Sequence, residues 1–170
     1  IMFIGIDLGT SSIKMILIDQ NQKILATANS SLTVKSAKDG FSEQNPQEWI
    51  DSTMKCFEAL KLKKPNEFSQ TVSLGISGHM HGATLIDKDG KVIRPCILWN
   101  DTRSYKECEE FEKQNFDVRT ISGNITMPGF TAPKINWIKN NEIDNFKKIF
   151  KVLLPKDFLR FVLTGEFFSE

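Results

Sequence analysis

The sequence predicts an α/β fold: a mixed sheet, part antiparallel three-strand meander and part parallel, flanked by helices. Three observations carry this. Apolar residues alternate with polar ones in three successive runs joined by short polar turns, segments of helical period come next, and the β-rich run "TVSLGIS" is reached only through one of those helices.

"MFIGIDLG", "IKMILID" and "KILATANSSLTV" read as strands. Thr10, Ser11 and Ser12 join the first two, and a polar turn from Asp19 to Gln22 joins the last two. Connections this short make neighbours antiparallel. Asn45, Pro46 and Glu48 then give a helix start: a capping side chain, a proline in the first turn, and a carboxylate three residues after the cap. Ile50, Met54, Phe57 and Leu60 predict its apolar face, and Pro65 marks the exit. "TVSLGIS" is expected beside the first strand, parallel to it, through a right-handed crossover. "ATLIDKDGKVIRPCILW" predicts a hairpin around Lys88, Asp89 and Gly90.

From Asn100 the pattern is helical again, with Asn100 or Asp101 able to cap and with Tyr105, Cys108 and Phe111 recurring every third residue. After the loop "SGNITMPGFTAPK", Thr131 and Pro133 open a helix carrying Ile135 and Ile138, and Ile143 with Phe146 predicts a further short one. "KIFKVLLP" has the composition of a buried strand. "PKDFLRFVLTG" restarts a helix at Pro155 and stops it at Gly165. The chain stops directly after a helix signal, at "FFSE", which reads as a piece of a longer protein.

With 170 residues, 40% of them apolar, and a formal net charge of +1, the composition is that of a globular unit with material for a core. Lysines are scattered among acidic residues, which argues against a nucleic-acid partner. The sequence lacks an apolar block of membrane-spanning length and a signal peptide, so a cytoplasmic location and no membrane partner are expected. Cys56, Cys96 and Cys108 are odd in number and far apart, without CxxC spacing. They fit reduced packing thiols better than a disulfide framework or a zinc site.

Two stretches could carry chemistry. In "IGIDLGTSSIK", Asp7 ends an apolar strand and leads into a turn of Gly9, Thr10, Ser11 and Ser12. Small residues let the backbone approach an anion, hydroxyls and amides can donate to phosphate oxygens, and the carboxylate can hold Mg2+ through water. There is no GxxxxGK[ST] loop, and the residues after the turn are β-patterned. An ordinary hairpin with a polar turn would give the same residues. "SGHMHG" holds both histidines, His79 and His81, between glycines. A metal would need at least one more ligand, and neither a third histidine nor a nearby cysteine supplies it. A hydrogen-bonding imidazole facing a substrate is the alternative, and the family resemblance given below implies that this is His81, with His79 supporting the loop. Trp49 and Trp137 read as packing residues on helix faces, whereas Trp99 could pack or line a ligand.

In chain order, "DLGTSSIK", "GFSEQNPQEW", "GISGHMHGATLIDKDG", "ILWNDTR", "GNITMPGFTAPKINW" and "VLLPKDFLRFVLTGE" resemble the motifs of the FGGY family of carbohydrate kinases. "MHGATL" and "PGFTAPK" resemble its xylulose kinase branch rather than the glycerol and gluconate branches. The resemblance runs from Met2 to Glu170. It implies an actin-like ATPase, ribonuclease H-like fold, with 2–170 as the N-terminal, sugar-binding domain, truncated, and the C-terminal nucleotide-binding domain absent.

The implied reaction of the full-length protein is transfer of the γ-phosphate of ATP to D-xylulose, giving D-xylulose 5-phosphate, with ATP and Mg2+ as cofactors. Asp7 matches the carboxylate needed for activity near Mg2+. Thr10, Ser11, Ser12 and Lys14 match the nucleotide-phosphate contacts, with Lys14 standing where glycerol kinases have arginine. Met80 and His81 match the pair that contacts the ketopentose, and Asn100, Asp101 and Arg103 fall in the W-x-D-x-R pattern near the sugar. The proton-accepting aspartate is expected beyond Glu170, so this piece alone is expected to be inactive. The resemblance also allows a homodimer of the full-length protein. A kinase for another ketose or polyol, and a non-catalytic sugar-sensing protein on an actin-like frame, remain alternatives.

Overall fold

The computed structural model of the protein describes residues 1–114 and 117–169. Glu170, the last residue of the expected domain, lies outside them. In chain order the elements are β1 (Met2–Leu8), β2 (Ser12–Asp19), β3 (Ile24–Ser31), β4 (Glu43–Gln44), α1 (Pro46–Lys63), α2 (Pro65–Phe68), β5 (Thr71–Gly78), β6 (Thr84–Ile86) and β7 (Cys96–Ile97), then α3 (Tyr105–Gln114), α4 (Val118–Ser122), α5 (Thr131–Asn141), α6 (Ile143–Phe146), β8 (Lys151–Leu153) and α7 (Pro155–Thr164). They fall into two compact units: Ile1–Val34, Pro46–His79 and Pro155–Glu170 form the first, and Lys35–Asn45 with Met80–Leu154 the second.

The first unit is built on a four-stranded sheet in the order β3-β2-β1-β5, antiparallel through the meander and parallel between β1 and β5, as the sequence predicts. β3 ends at Ser31, short of the expected Val34. Side chains alternate across a strand, so Ile4, Ile6, Leu8, Ile13, Met15, Leu17, Ala26 and Ala28 share one buried face. α1 packs over β2 and β3 on that face, and α7 packs on β5.

The buried stripe of α1 shares Leu60 with the one its apolar spacing suggests but is otherwise turned away from it. Trp49, Ser52, Thr53, Cys56 and Leu60 face the sheet, whereas Met54 is 49% exposed. Ser52 and Thr53 are small enough to let the helix close on the sheet, and the Thr53 hydroxyl is satisfied by donating to the Trp49 carbonyl at 2.8 Å. Phe57, on the expected face, meets Phe68 of α2 edge to face with ring centroids 6.4 Å apart. Pro65 therefore ends α1 and also opens a one-turn helix that the apolar pattern does not announce. Glu48 also departs from the simple capping scheme: one carboxylate oxygen accepts from the Thr33 amide at 3.1 Å and the Thr33 hydroxyl at 3.0 Å, fastening the segment after β3 to the start of α1.

The second unit has little sheet. Its core is Leu85, Ile97 and Ile138, with Ile93, Ile135, Trp137, Phe146 and Ile149 packed against them. The predicted hairpin forms at its tip, where Asp87 accepts the amides of Asp89 and Lys91 and Gly90 takes φ +77. Its arms meet only through single bridges, Ile86↔Val92 and Ala83↔Ile97. Pro95 in the second arm has no amide to give a continuous ladder. The strands pair elsewhere instead, β6 with β8 and β7 with β4. Composition predicts a buried β8, yet only Leu153 of its three residues is buried. On α3, Cys108 is buried and Tyr105 points outward, with Glu107 buried in its place. Glu112 of the same helix accepts from the Thr126 hydroxyl and amide and from Arg119, which holds its carboxyl down to about 2.

Cys56, Cys96 and Cys108 are free and buried, and burial pushes the Cys96 thiol up to about 12 and the Cys108 thiol up to about 11. Among the described residues no helix is long and apolar enough to cross a membrane.

Trp49 is the test of how the first unit is packed, because it is fully buried and meets both His79 and Phe158 edge to face. Trp49→Ala is expected to cost about 3–5 kcal/mol in urea unfolding, against roughly 0.5 kcal/mol or less for Met54→Ala. Similar losses for both would contradict the observed helix face.

Candidate functional site

Asp7 stands near the C-terminal end of β1, in register with Lys14 on β2 and Ser77 on β5. All three lie on the sheet face opposite α1. The carboxylate is exposed and accepts from the Ser77 hydroxyl at 3.3 Å. Together with Gly5, Ile16, Gly75 and Ile76 these residues line an open depression of about 490 Å3. Its floor is low because Gly5 and Gly75 carry no side chain; a Cβ at Gly75 would meet nothing within 4 Å. The adjoining turn is closed by the Gly9 amide donating to the Ser12 carbonyl at 3.1 Å, and a Cβ on Gly9 would press on that carbonyl at 3.0 Å. Thr10, Ser11 and Ser12 come directly after it, so a strand-end carboxylate, a row of hydroxyls and the Lys14 ammonium are gathered within one unit. That chemistry suits an anion accompanied by a divalent cation.

The two histidines of "SGHMHG" fall in different units and differ in kind. His79 is buried, its amide donates to the Leu8 carbonyl at 2.9 Å, and its ring meets Trp49 at 5.7 Å, so it packs the sheet. Met80 is exposed and His81 half-buried. The Gly82 amide donates to the Met80 carbonyl at 2.8 Å, closing a three-residue turn about His81, whose φ is +60. A side chain in this left-handed region is strained by about 1–2 kcal/mol. The His81 ring leans on Phe130 with centroids 4.8 Å apart. Burial, and then the Lys134 charge, push its pKa below the ordinary 6.5, which keeps the imidazole neutral at pH 7.

Asn100 is exposed, whereas Asp101 and Arg103 are buried and engaged inside the protein. The Asp101 carboxylate accepts the Ser42 amide at 2.6 Å, the Arg103 amide at 3.0 Å and the Arg103 guanidinium at 2.7–3.0 Å. The guanidinium also reaches Glu43 at 2.7 Å and lies over the Phe41 ring at 3.8 Å. Asp101 and Arg103 thus fix the 41–43 and 99–103 segments to one another. Trp99 beside them is 43% exposed.

The residue that sequence reasoning misses is Lys134. It is fully buried, and its ammonium donates to the His81 carbonyl at 3.0 Å and the Gly129 carbonyl at 2.6 Å. Burial lowers its pKa to about 8, offset in part by Cys96 and Asp101 and assisted by Arg103. A signal is present: a lysine four residues before Ile138, on the buried stripe of α5, occupies a core position.

The sequence model of the FGGY family of carbohydrate kinases, N-terminal domain, matches residues 2–170. The chain belongs to this family. It is 46% identical over 169 residues to the xylulose kinase of Escherichia coli (strain K12), covering 99% of this chain and 34% of that protein. It is 45% identical over 169 residues to the xylulose kinase of Klebsiella pneumoniae, covering 99% of this chain and 35% of that protein. Among solved structures, that of a xyloylose kinase from Brucella ovis superimposes with a TM-score of 0.95 at 51% identity, over 98% of this chain and 35% of that one. The chain therefore spans about a third of the length of the curated relatives it matches. The FGGY N-terminal fold, with its actin-like mixed sheet, accounts for the meander and the parallel β5.

Two expectations arise for this FGGY domain. Arg103→Ala leaves Asp101 without its cation in a buried setting and Glu43 with Arg94 alone, and is expected to cost about 3–5 kcal/mol by denaturant unfolding; a loss below about 1 kcal/mol would refute the network. A histidine NMR titration should place His81 below 6.5. Because the folded state binds that proton more weakly than the unfolded chain, His81's contribution to stability is full above 6.5 and is lost as pH falls through its lowered value. His81→Asn should remove that part of the acid sensitivity, and an unchanged acid limb would count against it.

Proposed function

We propose that the full-length protein is an ATP-dependent xylulose kinase that transfers the γ-phosphate of ATP to D-xylulose. One observation carries the reading: the match to xylulose kinases, at 45–46% identity, spans 99% of the chain, a span that includes the hydroxyl turn and the "SGHMHG" loop. Magnesium is held by one or two carboxylates together with waters and substrate phosphates. Among the described residues no group of three or more His, Cys, Asp and Glu side chains forms a protein cage for a metal. The single exposed Asp7 beside hydroxyls fits the open arrangement, and Mg2+ there would neutralise phosphate charge.

Phosphoryl transfer asks the protein for positioning and charge stabilisation more than covalent chemistry. In this reading the turn amides and hydroxyls of Thr10, Ser11 and Ser12 donate to phosphate oxygens, and Lys14 supplies a point charge without the bidentate fork of an arginine. The neutral His81 imidazole both donates to and accepts from sugar hydroxyls, Met80 covers an apolar edge of the sugar, and the Asn100 amide adds polar contacts. Asp101 and Arg103 act on the sugar through the loop they shape, since their charged groups are engaged within the protein. The proton-accepting aspartate is assigned to the part of the full-length protein beyond Glu170.

The test is a coupled ADP-release assay on the full-length protein with D-xylulose, ribulose, glycerol and gluconate. D-xylulose should give the highest kcat/KM; preference for another substrate would establish a different ketose or polyol kinase, and sugar binding without ADP release would establish a sensor. Asp7→Asn should lower kcat by about 10²–10³-fold or more with little change in sugar KM, whereas His81→Ala should raise sugar KM by about 10–100-fold and spare ATP KM. Equal damage to the KM of both substrates by His81→Ala would remove residues 80–82 as the sugar reader.

A further inference from the structure

Among the described non-glycine residues only Gln22 and His81 have positive φ. Gln22 sits in an exposed turn. His81 sits in a turn whose strained backbone must be held by its surroundings, since a left-handed residue relaxes unless local bonds over-determine it. Its carbonyl accepts two donors from one helix, the Thr131 hydroxyl at 3.1 Å and the Lys134 ammonium at 3.0 Å. The same ammonium donates to the Gly129 carbonyl at 2.6 Å. Gly129 in turn lies so close to the Trp99 carbonyl that a Cβ there would stand 2.6 Å from it. One buried cation therefore ties residues 80–82 to residues 127–130, and the second of these abuts the segment leading to Asn100.

A buried ammonium is costly unless its protons are taken by acceptors and its charge is balanced. An apolar residue in its place, packed beside Ile138, would avoid that cost. It could not bind two carbonyls from separate loops. We propose that Lys134 is the positioning residue of the sugar-reading loop, its ammonium clamping the His81 and Gly129 carbonyls so that the strained turn aims the His81 imidazole. The inference rests on the reading of residues 80–82 as the sugar loop. A lowered pKa of about 8 still leaves Lys134 mainly protonated at neutral pH, as a two-carbonyl clamp requires.

Two variants of the full-length protein test it. Lys134→Met keeps most of the stem and removes the charge, and Thr131→Val removes the milder of the two donors. Each is compared with wild type by steady-state kinetics and by the rate of carbethoxylation of individual histidines with diethyl pyrocarbonate, read by peptide mass spectrometry. His79, buried two residues away, is the internal control for general loosening.

In Lys134→Met, His81 is expected to react about 5–10-fold faster with His79 within about twofold, and D-xylulose KM to rise about tenfold with ATP KM and kcat within about threefold. Unchanged His81 reactivity together with unchanged sugar KM overturns the proposal. If Lys134→Met loosens both histidines alike, Thr131→Val decides: a selective rise at His81 upholds the clamp, and no rise overturns it. Should wild-type protein fail to use D-xylulose, the proposed function falls while the histidine rates still settle the clamp.

Discussion

Buried charge organises the second unit. Its strands are two or three residues long, too short to fix the loops between them by ladder hydrogen bonds alone. Arg103, Asp101, Glu43 and Lys134 take over that task, each cation joining a nearby carboxylate or carbonyl to one distant in sequence. Such bonds are directional where apolar packing is not. The core of Leu85, Ile97 and Ile138 supplies the burial, and the charges select the loop geometry that accompanies it. Exchanging one of these cations for an apolar residue would leave a core behind, but the loops would lose their register.

The first unit meets a different demand with different means. A strand flanked by partners on both sides fixes the Asp7 carboxylate without burying it, which is what its proposed place beside phosphate oxygens requires. Paired glycines at Gly5 and Gly75 keep the sheet face open, and the buried face beneath it is filled by α1. Rigidity thus comes from backbone pairing in one unit and from side-chain ionic bonds in the other. Each matches the group it must present: a fixed carboxylate in the first, a shaped loop in the second.

How much of this can be read from the sequence depends on the range of the interactions involved. The meander, the parallel β5 and the helices at Pro46, Thr131 and Pro155 rest on local periodicity and on turn and cap residues, which act within a few positions. Local pattern favours a hairpin across the 83–99 segment, while the fold pairs β6 with β8, some sixty-five residues away. Apolar spacing misplaces the face of α1 because hydrophobicity ranks Met54 above Ser52, although close approach to a sheet favours the smaller residue. Asp7 and His81 draw notice in the sequence because their chemistry stands apart from their neighbours, and the structure places them at a strand end and in a loop as the pattern predicts. Lys134 escapes notice because a lysine is taken for a surface residue until its helix face is counted. That Asp101 and Arg103 turn inward depends on Phe41, Ser42 and Glu43, which no spacing near them reveals.

One of the points where the chain passes from the first unit to the second lies between His79 and Met80, inside a six-residue stretch. On one side the chain is committed to the sheet, with Leu8 and Trp49 as neighbours; on the other it enters a turn held from outside by carbonyl bonds. The acceptors in those bonds are backbone carbonyls, so the contacts that hold the turn do not depend on the side chain at position 80, while the left-handed φ of His81 restricts what can stand at position 81. Under the function proposed above, this would make the turn a modular address label: the recipient could be changed at these positions without disturbing the residues assigned to phosphate.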